Sequence, residues 1–175
     1  MKKGIITSLL ATFSLFAFSQ TSSGLWNSST AKYTNSDHKI TWQLIEGLGW
    51  IGRPILSGST LLKVRNDDTR ILVKLGANKE VGLKGDIWDH VSEFESPLLD
   101  EMYKLQAQQN GMTYLGVKSM RSLLCGNHAI RMRIDMKKDY PEYRQTVHCV
   151  EIQYMFYKGN YLYSVSVVAL SVLEE

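Results

Sequence analysis

The sequence lacks the residue spacings that mark the common catalytic and metal-binding sites. It contains no HExxH, HxH or CxxC, no GxSxG and no glycine-rich phosphate loop. Zinc sites, thiol redox pairs, serine hydrolases and nucleotide sites use these patterns. We therefore predict that the chain is not an enzyme and has no catalytic residues, no bound metal and no cofactor. Its four histidines are scattered: His38, His90, His128 and His148.

The chain also has little net charge. Its formal charge is +3. Lys2 and Lys3 lie in an N-terminal segment that we expect to be removed, which leaves +1 on the mature side chains. This balance does not indicate a surface for nucleic acid. After the N-terminal segment, no apolar run reaches the about 20 residues that a membrane span needs.

The N-terminus has the order of features that defines a secretory signal peptide. Lys2 and Lys3 form a basic region, residues 5–18 are apolar, and Ala17 and Ser19 are small residues at the cleavage subsites. We predict cleavage after Ser19, so that residues 1–19 are the signal peptide. The mature protein is then exported, either to the periplasm or out of the cell.

The remaining chain has the length of one domain. Residues 20–38 are rich in Ser, Thr and Asn, and we interpret them as a flexible lead-in. Residues 39–175 are predicted to form a single α+β domain with one hydrophobic core.

Hydrophobic periodicity predicts one helix among many strands. Asp86 is a good N-cap, and a stripe with helical spacing follows it through the Ser96-Pro97 pair. The proline indicates either a kink or two abutting helices, and the continuous phase of the stripe favours a kink. We expect a central antiparallel sheet of about six or seven strands with this kinked amphipathic helix on one face. The stripe consists of Ile87, Val91, Phe94, Leu98, Met102 and Leu105.

The last two strands are predicted to form a hairpin around Gly159-Asn160, which is typical of a two-residue turn. One face of this hairpin is apolar and is expected to lie under the helix. It contains Val150, Ile152, Tyr154 and Phe156 opposite Tyr163, Val165, Val167 and Ala169. The other face is mixed, and its residues Met155, Tyr157 and Leu162 are a candidate protein interface. Coverage of this patch by another segment is the alternative.

Two cysteines remain after cleavage, Cys125 and Cys149. Export permits a disulfide between them. A simple hairpin between their strands, however, places them several residues out of register. We keep this pair as a candidate disulfide and expect free thiols.

The order of elements resembles a known family. A strand near Trp50, a strand pair, an amphipathic helix and several antiparallel strands follow one another, with G-N-H-A-x-R at residues 126–131 and Y-K-G-N-Y-L-Y-S-V at residues 157–165. This layout resembles the PsbP-like α+β domains, including the small exported bacterial members related to DcrB. The resemblance implies a central antiparallel sheet with flanking helices, a non-catalytic binding or assembly role, and no catalytic residues to transfer.

Three functions remain open at this point. The first is an exported, non-enzymatic binding or accessory module whose partner is a protein. The second is a carrier of a small apolar ligand in a cup between sheet and helix, as in cystatin-like or NTF2-like folds. The third is a hydrolase with an unfamiliar site. An apolar pocket lined by Trp42, Phe94, Tyr154 and Tyr163 would favour the carrier, and a filled core with a mixed outer face would favour the binding module.

Overall fold

A computed structural model describes residues 24–55, 59–79 and 85–174. The predicted signal peptide, residues 1–19, lies outside the described residues. The predicted flexible lead-in and the predicted domain lie largely within them.

Strands dominate the described chain. Two consecutive helical segments are present, a 3₁₀ helix at Ile87–Glu95 and the α-helix α1 at Pro97–Gln109. A short 3₁₀ turn lies at Pro141–Tyr143. The strands are β1 (Gly24–Asn27), β2 (Lys32–Asn35), β3 (Ile40–Gln43), β4 (Ile51–Pro54), β5 (Thr60–Asn66), β6 (Ile71–Lys79), β7 (Thr113–Leu124), β8 (Asn127–Tyr140), β9 (Gln145–Lys158) and β10 (Tyr161–Glu174).

The strands form two antiparallel sheets. The small sheet has the order β1-β2-β3, and the seven-stranded sheet has the order β4-β5-β6-β10-β9-β8-β7. The predicted α+β class and the predicted size of the central sheet are thereby confirmed. The turn between β9 and β10 is the predicted two-residue turn, and Gly159 adopts the positive φ of 60° that such a turn requires.

The described residues divide into two compact units. The first unit contains the described residues before Gly85 together with Lys158–Val165, and the second contains Gly85–Tyr157 with the described chain from Ser166 onward. Strand β10 contributes its beginning to the first unit and its remainder to the second. The single domain over residues 39–175 stays a prediction.

The structure differs from the expected lead-in at residues 20–38, because β1 and β2 lie within it. Tyr33 is fully buried and pairs with Trp26 on one side and Trp42 on the other. The Ser- and Asn-rich composition belongs to the turns: the Asn27 side chain accepts hydrogen bonds from the backbone of Ser29 and Thr30 at 3.0 and 3.2 Å. Short polar side chains are suited to this role. The aromatic residues between the turns supply the buried side of the small sheet.

Two abutting helices take the place of the predicted kinked helix. Asp86 caps the 3₁₀ helix, and its side chain accepts from the Trp88 backbone at 2.9 Å. Ser96 is extended, with φ −70° and ψ 146°, and it caps α1 in turn. The residue before a proline is disfavoured in the helical region, so the first helix ends there.

The break also disrupts the predicted apolar stripe. Ile87 and Phe94 are buried, at 2% exposure each, but Leu98 and Leu105 on α1 are 46% and 57% exposed. A 3₁₀ helix has about three residues per turn rather than 3.6. The stripe therefore loses its phase between the two segments, and Leu99 and Ala107 form the buried side of α1 instead.

Candidate functional site

The predicted interface residues do not form an exposed patch. Met155 and Leu162 are each only 2% exposed, and Tyr157 is half-buried. The alternative of a covered patch therefore describes these residues better than an open interface. Met155 lies on the face of β9 that packs against the helices, whereas the sequence pattern placed it on the opposite face.

The two predicted cysteines lie far apart and are not joined by a disulfide. Cys125 is exposed in the two-residue turn between β7 and β8, where its φ is 51°, and Cys149 is buried on β9 opposite Met136. From the turn at Asn127 to Met136, β8 covers about 30 Å at ~3.3 Å per residue. A disulfide requires Cα atoms within about 7 Å, so the register of β8 and β9 separates the pair.

Both helices of the second unit lie on the same face of its strands, the inner face. The Tyr103 hydroxyl of α1 donates to the Gln153 side chain at 3.1 Å, and the Ser119 hydroxyl of β7 donates to the Phe94 carbonyl at 3.0 Å. Ser119, Met132 and Gln153 are cross-strand neighbours. The inner face is filled with apolar side chains, and those exposed by 2% or less are Ile87, Phe94, Ile130, Met132, Ile134 and Met155.

This arrangement reverses the face predicted for β9. Ile152 and Tyr154, expected under the helix, pair with Arg133 and Arg131 and lie on the opposite face. They are half-buried, whereas Gln153 on the inner face is 9% exposed. The apolar pattern of β9 therefore did not identify the face that the helices cover.

The opposite face of these three strands, here called the outer face, combines apolar and basic side chains. Within the second unit, neither helix covers it. At one end of this face lies the row Ser122–Ala129–Phe156, in which Ala129 is fully buried. The following rows across β7, β8 and β9 are Met120–Arg131–Tyr154, Lys118–Arg133–Ile152 and Gly116–Asp135–Val150, and the next pair on β8 and β9 is Lys137–His148.

The charges of the outer face are only partly neutralised. The Arg133 guanidinium donates to both oxygens of Asp135 at 2.9 to 3.1 Å, and this contact raises the pKa of Arg133. Lys137 pairs with Asp139 at 3.1 Å. Among the described residues, Arg131 and Lys118 form no ion pair, and Arg131 contacts the Met120 sulfur at 3.7 Å. Arg131 therefore remains as a cation without an ion pair beside Tyr154, and Lys118 as another on β7 beside Arg133.

A layer of paired polar groups lies between α1 and the inner face. Tyr114 donates to Asp100 and the Ser166 hydroxyl donates to Glu151, each at 2.5 Å. Burial raises the pKa of Tyr103, and the negative charge of Glu151 raises it further. Burial also raises the pKa of Tyr114, together with the hydrogen bond to Asp100. These hydroxyls stay protonated and serve as donors, so the layer attaches the helix to the sheet.

A second polar cluster joins the start of the 3₁₀ helix to the β7–β8 hairpin. The Asp86 carboxylate contacts His128 Nδ1 at 2.5 Å, and the Trp88 ring stacks on the His128 ring with centroids 3.5 Å apart. The Trp88 indole N–H donates to the carbonyls of Ser122 and Ala129. The pKa of Asp86 is lowered most by the hydrogen bond from the Trp88 backbone N–H, and to a smaller extent by the contact with His128.

In the first unit, a histidine lies beside the buried Tyr163 and the half-buried Tyr161. His38 Nδ1 is 3.3 Å from the Tyr163 hydroxyl, and the rings of His38 and Tyr161 meet edge to face at 4.8 Å. Burial lowers the pKa of His38, against a smaller opposite effect of Asp37. The neutral ring is therefore favoured, and the cluster connects the β2–β3 turn to the start of β10.

The described residues do not assemble the lining predicted for an apolar carrier. Phe94 is buried on the inner face of the second unit and Tyr154 lies on its outer face. In the first unit, Trp42 belongs to the small sheet and Tyr163 is 2% exposed. Within the described ranges, no group of three or more His, Cys, Asp or Glu side chains could hold a metal ion. No helix in this part of the chain has the length and apolar character to cross a membrane.

Comparison with known proteins finds distant likenesses among the solved structures. No family model and no curated protein match the chain. The solution structure of cyanobacterial PsbP (CyanoP) from Synechocystis sp. PCC 6803 matches with 10% sequence identity and a TM-score of 0.44, covering 89% of this chain and 85% of that one. At this identity and TM-score, we transfer neither a function nor any residue role from it.

Proposed function

We propose that this chain is an exported, non-enzymatic binding module that recognises an acidic protein surface through the outer face of β7, β8 and β9. The observation that supports the proposal is the mixture of exposed Met120 and Lys118 with half-buried Tyr154, Ile152 and Arg131, on a face that neither helix of the second unit covers. Aromatic residues, Met and Arg are enriched where proteins meet.

The packing of the inner face supports a surface rather than a pocket as the working part. Phe94, Met132 and Ile134 leave no more than 2% of their surface exposed, and the nearby polar groups are paired with each other. A carrier needs an apolar space between sheet and helix, and no observation favours that alternative. The titratable clusters act as contacts between elements, which is consistent with a non-enzymatic role.

The charges of the outer face indicate the kind of partner. Asp135 and Asp139 are each engaged by a neighbouring cation. The cations without such pairs, Arg131 and Lys118, would attract carboxylates of a partner. Arg also offers several donors in a planar group that matches a carboxylate.

The test is affinity capture from the exported fraction of the native host with the wild-type protein and Arg131→Glu. We expect a partner that wild type retains, that rising salt releases because ions screen exposed charges, and that Arg131→Glu loses. Lys63→Glu is the matched control, since Lys63 is an exposed cation on β5. An N-terminus at Gln20 in the recovered protein would support the export part of the proposal.

Equal recovery of the same partner by Arg131→Glu and wild type would contradict the proposed surface. Thermal unfolding of each variant is measured alongside. Arg131 has no ion pair among the described residues, so charge reversal there should change the free energy of unfolding by no more than about 0.5 kcal/mol.

A further inference from the structure

Three cations lie close together on the outer face. Arg131 and Arg133 are two residues apart on β8, which places their Cα atoms about 7 Å apart and both side chains on one side of the strand. Lys118 of β7 is the cross-strand neighbour of Arg133. Because like charges directly opposite each other destabilise a sheet, this group of cations is more stable with an acidic side chain beside it.

Asp135 is the acidic side chain next to these cations. Both of its carboxylate oxygens accept hydrogen bonds from Arg133, at 2.9 to 3.1 Å. Its own cross-strand neighbours are Gly116 and Val150, neither of which has a polar side chain. In the four rows of the outer face that cross β7, β8 and β9, Asp135 is the only acidic residue. It therefore neutralises Arg133 in the free protein.

The contact between Arg133 and Asp135 is open to solvent. Their side chains are 52% and 33% exposed, and an added Cβ at Gly116 would meet no atom within 4 Å. Only Nε and Nη2 of Arg133 donate to Asp135, so the guanidinium keeps further N–H donors. Exposed ion pairs contribute little to stability because water already solvates both charges. Another carboxylate that reaches Arg133 therefore displaces Asp135 at small cost.

We infer that Asp135 is an intramolecular competitor of the acidic partner, which holds Arg133 until a segment with several carboxylates takes its place. The inference rests on the proposed function and adds how the affinity of the outer face is limited. A lone carboxylate competes poorly, because Asp135 is tethered beside Arg133 at a high effective concentration. A segment with several carboxylates also contacts Arg131 and Lys118, which have no ion pair among the described residues.

The test is the substitution Asp135→Asn, which keeps the size of the side chain and removes its charge. The probe is fluorescently labelled hexaglutamate, whose binding is measured by anisotropy at low ionic strength, where exposed charges interact most strongly. Asp135→Asn should bind hexaglutamate about two- to fivefold more tightly than wild type, the size of effect that exposed charge pairs have. Asp135→Ser, which removes the same charge with a different side chain, should give a gain of the same size.

Two controls separate competition at Arg133 from a general change in net charge. Asp67 pairs with the exposed Arg65 of the first unit at 3.0 Å, so Asp67→Asn removes the same charge and releases an arginine away from the outer face. It should leave the affinity for hexaglutamate close to that of wild type. The second control adds Asp135→Asn to Arg133→Gln, where most of the gain should disappear because the arginine for which Asp135 competes is absent.

The outcomes distinguish this inference from the proposed function. If wild type binds hexaglutamate and Arg131→Glu does not, but Asp135→Asn binds no more tightly than wild type or Asp67→Asn, the inference is overturned and the proposed function stands. If neither wild type nor Asp135→Asn binds hexaglutamate, the proposed function is overturned and the inference with it. Thermal unfolding of each variant, measured alongside, shows that a change in affinity does not come from loss of the fold.

Discussion

At the scale of single residues, Asp86 connects local and tertiary structure. One carboxylate oxygen caps the 3₁₀ helix through the Trp88 backbone N–H, and the other contacts His128 on β8. The stacked ring of Trp88 holds His128 in place, and its indole N–H reaches the carbonyls of Ser122 and Ala129. A single acidic residue thus orients the helix and attaches it to the hairpin.

Replacing Asp86 by Asn should make part of the stability insensitive to pH. The hydrogen bond from Trp88 lowers the pKa of Asp86 from its usual 3.8. A carboxyl group whose pKa is lower in the folded state than in the unfolded state stabilises the fold at pH values above its unfolded-state pKa. This stabilisation is lost as the pH falls through the folded-state pKa. Asp86→Asn should therefore unfold at a lower temperature than wild type near neutral pH, and the difference should shrink below pH about 4.

Thermal unfolding across this pH range measures the effect. Asp89→Asn is the control, because Asp89 lies in the first turn of the same helix and is not the residue that bonds His128. A difference between wild type and Asp86→Asn that is constant from neutral to acid pH would contradict the assigned role of the carboxylate.

At the scale of elements, the register between β8 and β9 determines which side chains form the core of the second unit. Met132 pairs with Gln153, and Arg133 pairs with Ile152. The helices cover the side of Met132, so an amide is buried and an isoleucine is left half-buried. Gln153 is accommodated because its side chain accepts the Tyr103 hydroxyl.

Two alanine substitutions on β9 should therefore reverse the order that the sequence pattern predicts. Gln153→Ala should lower the free energy of unfolding by about 1–3 kcal/mol, because it leaves the Tyr103 hydroxyl without this acceptor. Ile152→Ala should lower it by about 1 kcal/mol. Ile134→Ala, at 1% exposure, is the core reference and should lower it by about 2–5 kcal/mol.

Urea unfolding of the three variants gives these values. A loss for Ile152→Ala as large as that for Ile134→Ala would show that the outer face is covered in solution, and the proposed binding surface would then be withdrawn.

At the scale of the whole molecule, both edges of the large sheet carry features that discourage pairing with other strands. Strand β4 includes Pro54, and the pairing of β7 shifts by one residue between Tyr114 and Gly116. The Glu95 carboxylate accepts the Ser119 backbone N–H of β7 at 3.2 Å. Prolines, bulges and covering groups are the usual protection of edge strands.

The small sheet should behave as folded structure in hydrogen exchange. The amides of β2 are expected to exchange slowly, because β2 lies between β1 and β3 and Tyr33 is fully buried. Mass spectrometry of a peptide spanning residues 32–35 measures this, with the polar turn at residues 36–39 as the fast-exchanging control. Equally fast exchange in both peptides would show that this segment is the flexible lead-in of the sequence interpretation.

The sequence by itself determined the features that depend on neighbouring residues. The turn at Gly159-Asn160 and the cap at Asp86 are found as predicted. The antiparallel α+β class follows from the same local patterns. These features are accessible because turn chemistry, capping and strand periodicity act over a few residues.

Only the tertiary structure decided which surfaces are buried. Both faces of β9 contain apolar residues, so its pattern does not reveal which face the helices cover, and the register with β8 settles it. The rotation of α1 likewise depends on Tyr103 and Asp100 reaching distant strands. Which of these faces stays exposed was therefore not visible in the sequence, because burial is a property of what packs against a residue rather than of the residue's own neighbours in the chain.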